Sequence, residues 1–169
     1  MVNHDFVTPQ GVDTDFATLQ QQAVALVADE PDLIANLANI TALLNEHLND
    51  INWVGFYLTS SNTPDELVLG PFQGRVACVR IPFAKGVCGT AASTQTTQLV
   101  EDVHQFPGHI ACDVASNSEI VLPIVVAERV VAVLDIDSPQ YGRFTQRDRD
   151  GLEALLPLLT ELNWGQHGR

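Results

Sequence analysis

The chain has 169 residues, of which 46% are hydrophobic and 17% are charged, and these proportions are typical of a folded protein with one domain. Its formal net charge of -13 argues against non-specific binding to nucleic acid or to anionic membranes, because both need a cationic surface. No apolar run reaches the roughly 18 residues of a membrane span, and the N-terminus lacks the features of an export signal, so we expect a cytoplasmic protein.

Two helices are predicted between Asp15 and Asn49, where apolar residues recur at helical spacing. The break between them falls near Pro31, which suits the first turn of the second helix. Residues 1–14 precede this pattern, and we interpret them as an N-terminal extension to a single domain of residues 15–165.

Strand patterns fill the middle of the chain. They lie at residues 51–58, 67–69, 76–81, 98–103, 119–126 and 130–137. The first two form a hairpin, and the last two are joined by a tight turn at 127–129. A short helix is predicted at 86–97 and a long surface loop at 104–118. A helix at 144–164, with Thr145 as its N-cap, closes the chain.

This order of elements predicts an α+β domain with a mainly antiparallel central sheet. The N-terminal and C-terminal helices are expected to cover one face of the sheet. The short helix and the long loop are then left to cover the other face. A sheet with a loop folded over it forms a natural pocket for a small molecule.

Acidic side chains gather at one end of this predicted pocket. Alternation along 130–137 gives the strand one apolar face, which should pack on the helices and consists of Val130, Ala132, Leu134 and Ile136. Asp135 and Asp137 lie on the opposite face, and Glu119 opens the antiparallel neighbour, so we expect three carboxylates to converge. Such a cluster would hold a proton as a general acid and could bind an ammonium group. In the simpler alternative, the two aspartates only cap the strand before the turn at Ser138.

Three cysteines, Cys78, Cys88 and Cys112, are spaced 10 and 24 residues apart, which matches neither a CxxC redox motif nor a paired zinc knuckle. An odd number of cysteines without an export signal makes a static disulfide framework improbable. Inert thiols, metal ligands and redox thiols therefore remain as alternatives. By local context, Cys78 on its predicted strand resembles an inert buried thiol most, and Cys112 in the loop resembles one least.

Two further groups of residues allow two interpretations each. His104 and His109 could form a metal site with Cys112 and Asp113, but no paired ligand motif accompanies them, so we predict polar loop groups and no metal. A second group, Trp53 and Tyr57, shares one face of the first strand. These two rings are either plain core or the walls of an aromatic box around a methyl or thioether group.

Six motifs together resemble those of the GAF-domain free methionine-(R)-sulfoxide reductases. They are INWVGFY at 51–57, LGPFQG at 69–74, GVCGTA at 86–91, HIACD at 109–113, ASNSEIV at 115–121 and VLDIDS at 133–138. The resemblance runs from about Leu33 to Leu159. Other GAF domains share the fold but not this set of three cysteines, and a non-catalytic GAF domain that senses a small ligand is the alternative function.

The resemblance implies a thiol reaction without a cofactor. A thiolate attacks the sulfur of free methionine (R)-sulfoxide, methionine leaves, and the resulting sulfenic acid forms a disulfide that thioredoxin reduces. Cys112 matches the cysteine usually given the attacking role, and Cys78 matches its usual resolving partner. Cys88 matches a third family cysteine whose role varies, so the choice between Cys88 and Cys112 as the attacking thiol stays open.

The resemblance also implies a set of substrate-binding residues and a possible homodimer. The family's pocket residues correspond to Trp53, Tyr57, Glu119, Asp135 and Asp137. Among these, Asp137 is also expected to act as the catalytic acid. A protonated carboxylate could donate to the sulfoxide oxygen, an ionised one could hold the amino group, and an indole could cover the S-methyl group.

Overall fold

Two capped helices begin the fold in the computed structural model, which describes residues 13–110 and 112–167. They are α1 (Phe16–Val27) and α2 (Leu33–His47), and they agree with the predicted helical pair. Asp15 and Asp32 cap them, because each side chain accepts a hydrogen bond from a backbone N–H in the first turn. Most of the predicted extension 1–14 lies outside the described residues, so its boundary stays a prediction.

A six-stranded sheet forms the centre of the molecule, and every pair of neighbouring strands is antiparallel, as predicted. The strand order is β3-β2-β1-β6-β5-β4. The strands are β1 (Trp53–Ser60), β2 (Thr63–Gly74), β3 (Arg80–Pro82), β4 (Gln98–Val100), β5 (Ser118–Val126) and β6 (Arg129–Ser138).

The second and third strands differ from their predicted bounds. β2 pairs with β1 along most of its length, although its glycines and Pro71 hide the strand pattern in the sequence. The predicted strand at 76–81 is wrong over most of its length, since only Arg80–Pro82 forms β3. Cys78 therefore lies in the connection before β3, where its sulfur is bonded to the loop that carries Cys112.

The C-terminal segment is a broken helix instead of the single helix predicted at 144–164. It consists of α4 (Gln146–Glu153), α5 (Leu156–Thr160) and a short 3-10 helix at Trp164–His167. Thr145 caps α4 as predicted, in a capping box with Asp148. Pro157 explains the break, because proline has no N–H with which to continue the ladder of hydrogen bonds from α4.

Each face of the sheet has its own apolar core. The face that packs on α1, α2, α4 and α5 buries residues such as Leu37, Phe56 and Leu134. The opposite face packs on α3 (Gly86–Thr94) and on the loops, and it buries residues such as Leu67 and Val133. None of the helices in the described part of the chain has the length and apolar character of a membrane span.

An irregularity in the pairing of β5 with β6 overturns one detail of the predicted alternation. Ile124 pairs with Ala132 but the next residue, Val125, pairs with Val130, so Val131 is an extra residue in β6. Val130 consequently joins the core on the α3 side and Val131 joins the core on the side of the long helices, the reverse of the prediction. Asp135 and Asp137 lie beyond this point and keep the predicted face.

A close backbone approach fixes α3 against the end of β3. Gly89 donates to the carbonyl of Lys85 at 3.0 Å and accepts from the N–H of Ala84 at 2.8 Å. A Cβ atom on Gly89 would lie 2.5 Å from the carbonyl oxygen of Pro82, so backbone would have to move. We expect Gly89→Ala to lower the free energy of unfolding by roughly 1–3 kcal/mol, as overpacking does.

Urea denaturation followed by circular dichroism would measure this effect. Gly165→Ala is the matched control, because the nearest atom to its added Cβ lies 3.8 Å away. Equal stability of the two variants would contradict the close packing of α3 at Gly89.

Candidate active site

Three carboxylates converge on the face of the sheet below α3, as the alternation predicts. Glu119 on β5 lies directly opposite Asp137 on β6, because the two-residue turn between these strands sets their register. The same register places Asp135 two residues further along on the same face, opposite Gly55 of β1. Glu119 and Asp135 are buried, and Asp137 is partly buried.

Burial and mutual repulsion disfavour ionisation of this carboxylate cluster. Burial, followed by the charges of Asp135 and Asp137, raises the pKa of Glu119 well above its ordinary value. The pKa of Asp137 is also raised well above the ordinary value, by burial and then by the charge of Asp135, although hydrogen bonds with Glu119 and Ser116 oppose this rise. Burial raises the pKa of Asp135, but hydrogen bonds from Glu119 and Cys88 oppose this rise. We therefore assign the ionised form to Asp135 first and a shared proton to the other two.

Two oxygens of the cluster lack hydrogen-bond partners. They are the buried Oδ1 atoms of Asp135 and Asp137, and within the described residues only the Oδ1 of Asn52 shares this condition. Buried polar atoms almost always have partners, so unpartnered carboxylate oxygens at a cavity are the acceptors that a ligand would use. The site can thus receive a ligand that carries an ammonium group or another donor.

One cavity brings together the predicted site residues, with the exception of Cys78. Its lining includes Trp53, Tyr57, Cys88, Cys112, Glu119, Asp135 and Asp137. Lys85 and His109 also line the cavity, and sequence reasoning did not assign either of them to the pocket. Burial and then the neighbouring charge of His104 lower the pKa of His109, which favours its neutral form.

Aromatic rings wall one side of this cavity. Trp53 stacks on Tyr57 with ring centroids 5.7 Å apart and on Phe72 with centroids 5.2 Å apart. The indole N–H of Trp53 donates to the carbonyl of Arg75 at 3.1 Å, which fixes the ring plane. Trp53 and Tyr57 belong to the buried core and also line the cavity, and their role as an aromatic box around a substrate group stays a prediction.

Cys78 and Cys112 form a disulfide with their Cα atoms 5.4 Å apart, a common separation for bonded cysteines. The prediction from local context that Cys78 is an inert thiol is therefore wrong. That prediction placed Cys78 on a strand, whereas it lies half-buried in a connection, next to the half-buried Cys112. The two cysteines most distant in sequence are thus brought together beside the cavity, which Cys112 lines.

Cys88 is a buried free thiol near the start of α3. Its Sγ donates to Oε1 of Glu119 at 3.9 Å. Burial and then the charges of Asp135 and Glu119 raise the pKa of this thiol well above its ordinary value. Since the thiolate is the nucleophile, this environment disfavours attack by Cys88.

The loop that carries Cys112 is held by a residue that sequence reasoning missed. The amide of Asn52 donates to Asp113 and to Ser116, each at 3.1 Å. Asp113 also accepts from the backbone N–H of Ala115 at 2.9 Å, which closes the turn after Cys112. Asn52 precedes β1 by one residue, and its place in the motif at 51–57 was the only signal for it in the sequence.

The candidate metal ligands on the long loop do not form a common site. His104 contacts the side-chain oxygen of Asn117 at 3.0 Å, and Cys112 is bonded to Cys78. A different group could hold a metal ion, because possible ligand atoms of Cys88, Glu119 and Asp135 all lie within 4.8 Å of one another. A thiolate and two carboxylates suit a borderline divalent cation such as Zn²⁺, and this group occupies the carboxylate end of the same cavity.

Comparison with known proteins gives consistent matches. The GAF domain family model matches residues 32–161. The free methionine-R-sulfoxide reductase of Escherichia coli K12 is 56% identical over 147 residues, or 87% of each chain. The reduced form of the Staphylococcus aureus fRMsr is 52% identical, with a TM-score of 0.84 over 89% of this chain and 96% of that one. The free methionine-R-sulfoxide reductase of Neisseria meningitidis, solved in complex with its substrate, is 45% identical, with a TM-score of 0.83 over 86% of both chains.

Proposed function

This chain belongs to the GAF-domain family of free methionine-R-sulfoxide reductases, and on that premise we propose that it reduces free methionine (R)-sulfoxide to methionine with its own thiols. The single observation that carries the proposal is the disulfide between Cys78 and Cys112 beside the cavity of the carboxylate cluster. A redox-active sulfur pair and a proton donor are the two things that reduction of a sulfoxide needs.

In the first step, the Cys112 thiolate attacks the sulfoxide sulfur and a carboxylic acid of the cluster gives its proton to the sulfoxide oxygen. Methionine leaves when oxygen passes to the cysteine, so the sulfoxide gains two electrons and Cys112 becomes a sulfenic acid. Cys112 is favoured over Cys88 for this role because it is half-buried and lines the cavity, whereas burial keeps the pKa of Cys88 high.

In the second step, the thiol of Cys78 attacks the sulfenic sulfur, expels water and forms the disulfide. The short distance between the two Cα atoms, 5.4 Å, supports direct resolution within one chain. Thioredoxin then supplies two electrons and two protons and restores both thiols. None of these proposed reaction steps needs a cofactor.

Each pocket residue is assigned to a different chemical group of the substrate. We assign the ammonium group to Asp135, the member of the cluster that ionises most readily. We assign the proton for the sulfoxide oxygen to Asp137, with Glu119 sharing it, since the pKa of both is raised well above the ordinary value. Trp53, which lies opposite Asp137 in the register of β1 and β6, would cover the S-methyl group.

Methionine release from free methionine sulfoxide tests the proposal. The protein would be incubated with each sulfoxide epimer and with thioredoxin, thioredoxin reductase and NADPH, and dithiothreitol would replace the protein reductant in a parallel series. We expect one NADPH oxidised for each methionine released from the R epimer and no turnover of a peptide-bound sulfoxide.

Turnover of neither epimer would overturn the enzyme proposal. It would leave a GAF domain that binds a small ligand without catalysis, which calorimetry with methionine sulfoxide would detect. The possible homodimer also stays a prediction, and sedimentation equilibrium would test it.

A further inference from the structure

Four solvent-facing apolar side chains surround the disulfide. Val76 and Val79 flank Cys78 and are 88% and 59% exposed, while Ile110 and Val114 flank Cys112 and are 37% and 85% exposed. Val76 and Val114 are the most exposed large hydrophobic residues in the described part of the chain. We call these four residues the disulfide patch.

The disulfide holds the two halves of the disulfide patch close to each other. Each of its members lies within two residues of a bonded cysteine, and the Cα atoms of those cysteines are 5.4 Å apart. None of the four belongs to either apolar core, although Ile110 also lines the cavity. Clustered apolar side chains that the fold itself leaves in water indicate a surface that another protein covers.

The Cys78 side of the disulfide is also cationic within a strongly acidic protein, whereas Asp113 follows Cys112 on the other side. The stretch 67–100 contains Arg75, Arg80 and Lys85 but no aspartate or glutamate, although the whole chain carries a net charge of -13. Arg80 forms an ion pair with Glu66 across β2 and β3 at 2.6 Å. Arg75 and Lys85 are exposed, and neither belongs to an ion pair among the described residues.

We propose that the disulfide patch is the docking surface for a protein dithiol reductant that presents an apolar face around its attacking cysteine and acidic groups beside that face. This inference rests on the proposed function, in which the disulfide must be reduced after every turnover. The reductant's thiolate attacks one sulfur of the pair and forms a mixed disulfide. Its second thiol then displaces that bond, so both enzyme cysteines return to thiols and the reductant becomes oxidised.

The physical properties of the patch fit such a transient partner. The four apolar side chains supply contact area beside the sulfur atoms, where the two proteins must meet for the exchange to occur. Arg75 and Lys85 attract acidic groups and offset the repulsion between an acidic partner and the rest of this chain. A small thiol such as dithiothreitol reaches the sulfur atoms without needing either feature.

The test measures the second-order rate constant for reduction of the oxidised protein, with reduced thioredoxin or dithiothreitol as the reductant. Methionine sulfoxide is absent, so the result does not depend on the proposed activity. We expect Val76→Ser with Val114→Ser to lower the thioredoxin rate constant about tenfold, the loss expected when apolar contacts are removed from an interface. The dithiothreitol rate should not change, and neither rate should change in Val24→Ser, which alters an exposed residue of α1.

Charge reversal provides the second arm of the test. Arg75→Glu should lower the thioredoxin rate constant and weaken its dependence on salt. Arg147→Glu, which makes the same change in net charge at an exposed residue of α4, should leave it nearly unchanged. Thioredoxin rates unaffected by the patch variants, an equal loss with dithiothreitol, or equally fast reduction by glutathione would each overturn the docking surface. Failure of the proposed activity would appear separately, as absence of methionine release with dithiothreitol.

Discussion

Replacement of Cys112 by serine should abolish methionine formation, while replacement of Cys78 by serine should leave one methionine per enzyme molecule. The reason is the proposed order of the two thiol steps. Without the attacking sulfur, the sulfoxide has no electron donor, and we expect the rate of the first turnover to fall at least about a thousandfold. Without the resolving sulfur, the first turnover proceeds and the sulfenic acid stays on Cys112.

Rapid-quench measurement of methionine, followed by mass spectrometry of the protein, distinguishes these outcomes. The Cys78→Ser variant should gain one oxygen atom that dimedone traps at Cys112, whereas the Cys112→Ser variant should stay unmodified. A sulfenic acid on Cys88 in the Cys112→Ser variant, with a full first burst of methionine, would make Cys88 the attacking thiol instead. The buried position of Cys88 and its raised pKa argue for the first result.

Sequence alternation predicted the carboxylate end of the site because the period of a strand is a purely local property. Asp135 and Asp137 share a face in any regular strand, and the short turn before β6 brings Glu119 opposite Asp137. The same reasoning failed at Val130, because the irregularity beside it depends on the partner strand and leaves no mark in the alternation. The predicted face of Asp135 and Asp137 was correct because these residues lie toward the other end of β6.

The disulfide and the support of its loop depend on contacts that sequence patterns do not carry. Cys78 and Cys112 are 34 residues apart, and their pairing depends on how the 104–118 loop folds over the sheet. Local context therefore described Cys78 as inert, and only the family resemblance predicted its partnership with Cys112. Asn52 likewise donates to Asp113 and Ser116, which lie 61 and 64 positions further along the chain. The residues next to Asn52 in sequence therefore do not predict these hydrogen bonds.

The carboxylate cluster should give the first turnover a falling limb at high pH. The acid that protonates the sulfoxide oxygen must keep its proton. Because the pKa of Asp137 and of Glu119 is raised, these groups stay protonated at pH values above the ordinary carboxyl range. The rate then falls as the pH rises through the raised pKa of this acid. Asp137→Asn should slow methionine formation by roughly 10²–10⁴-fold, the usual contribution of a general acid, and should remove the falling limb.

Single-turnover rates across pH would measure both effects, with Asp150→Asn, a change at an exposed acid of α4, as the control. A falling limb that persists in Asp137→Asn but vanishes in Glu119→Gln would assign the proton donor to Glu119.

The same cluster should make the folded protein less stable as the pH rises. Between the ordinary carboxyl pKa and the raised one, the folded state holds protons that the unfolded state has released. The contribution of the cluster to the free energy of unfolding is therefore fully present at pH values below the ordinary carboxyl pKa. It is lost as the pH rises through the raised pKa. Glu119→Gln should flatten this dependence and raise the free energy of unfolding at pH 8 by roughly 1–2 kcal/mol, as relief of a strained active site often does. Urea denaturation at a series of pH values would measure the slope, and a slope unchanged by Glu119→Gln would mean that Glu119 does not retain a proton in the folded protein.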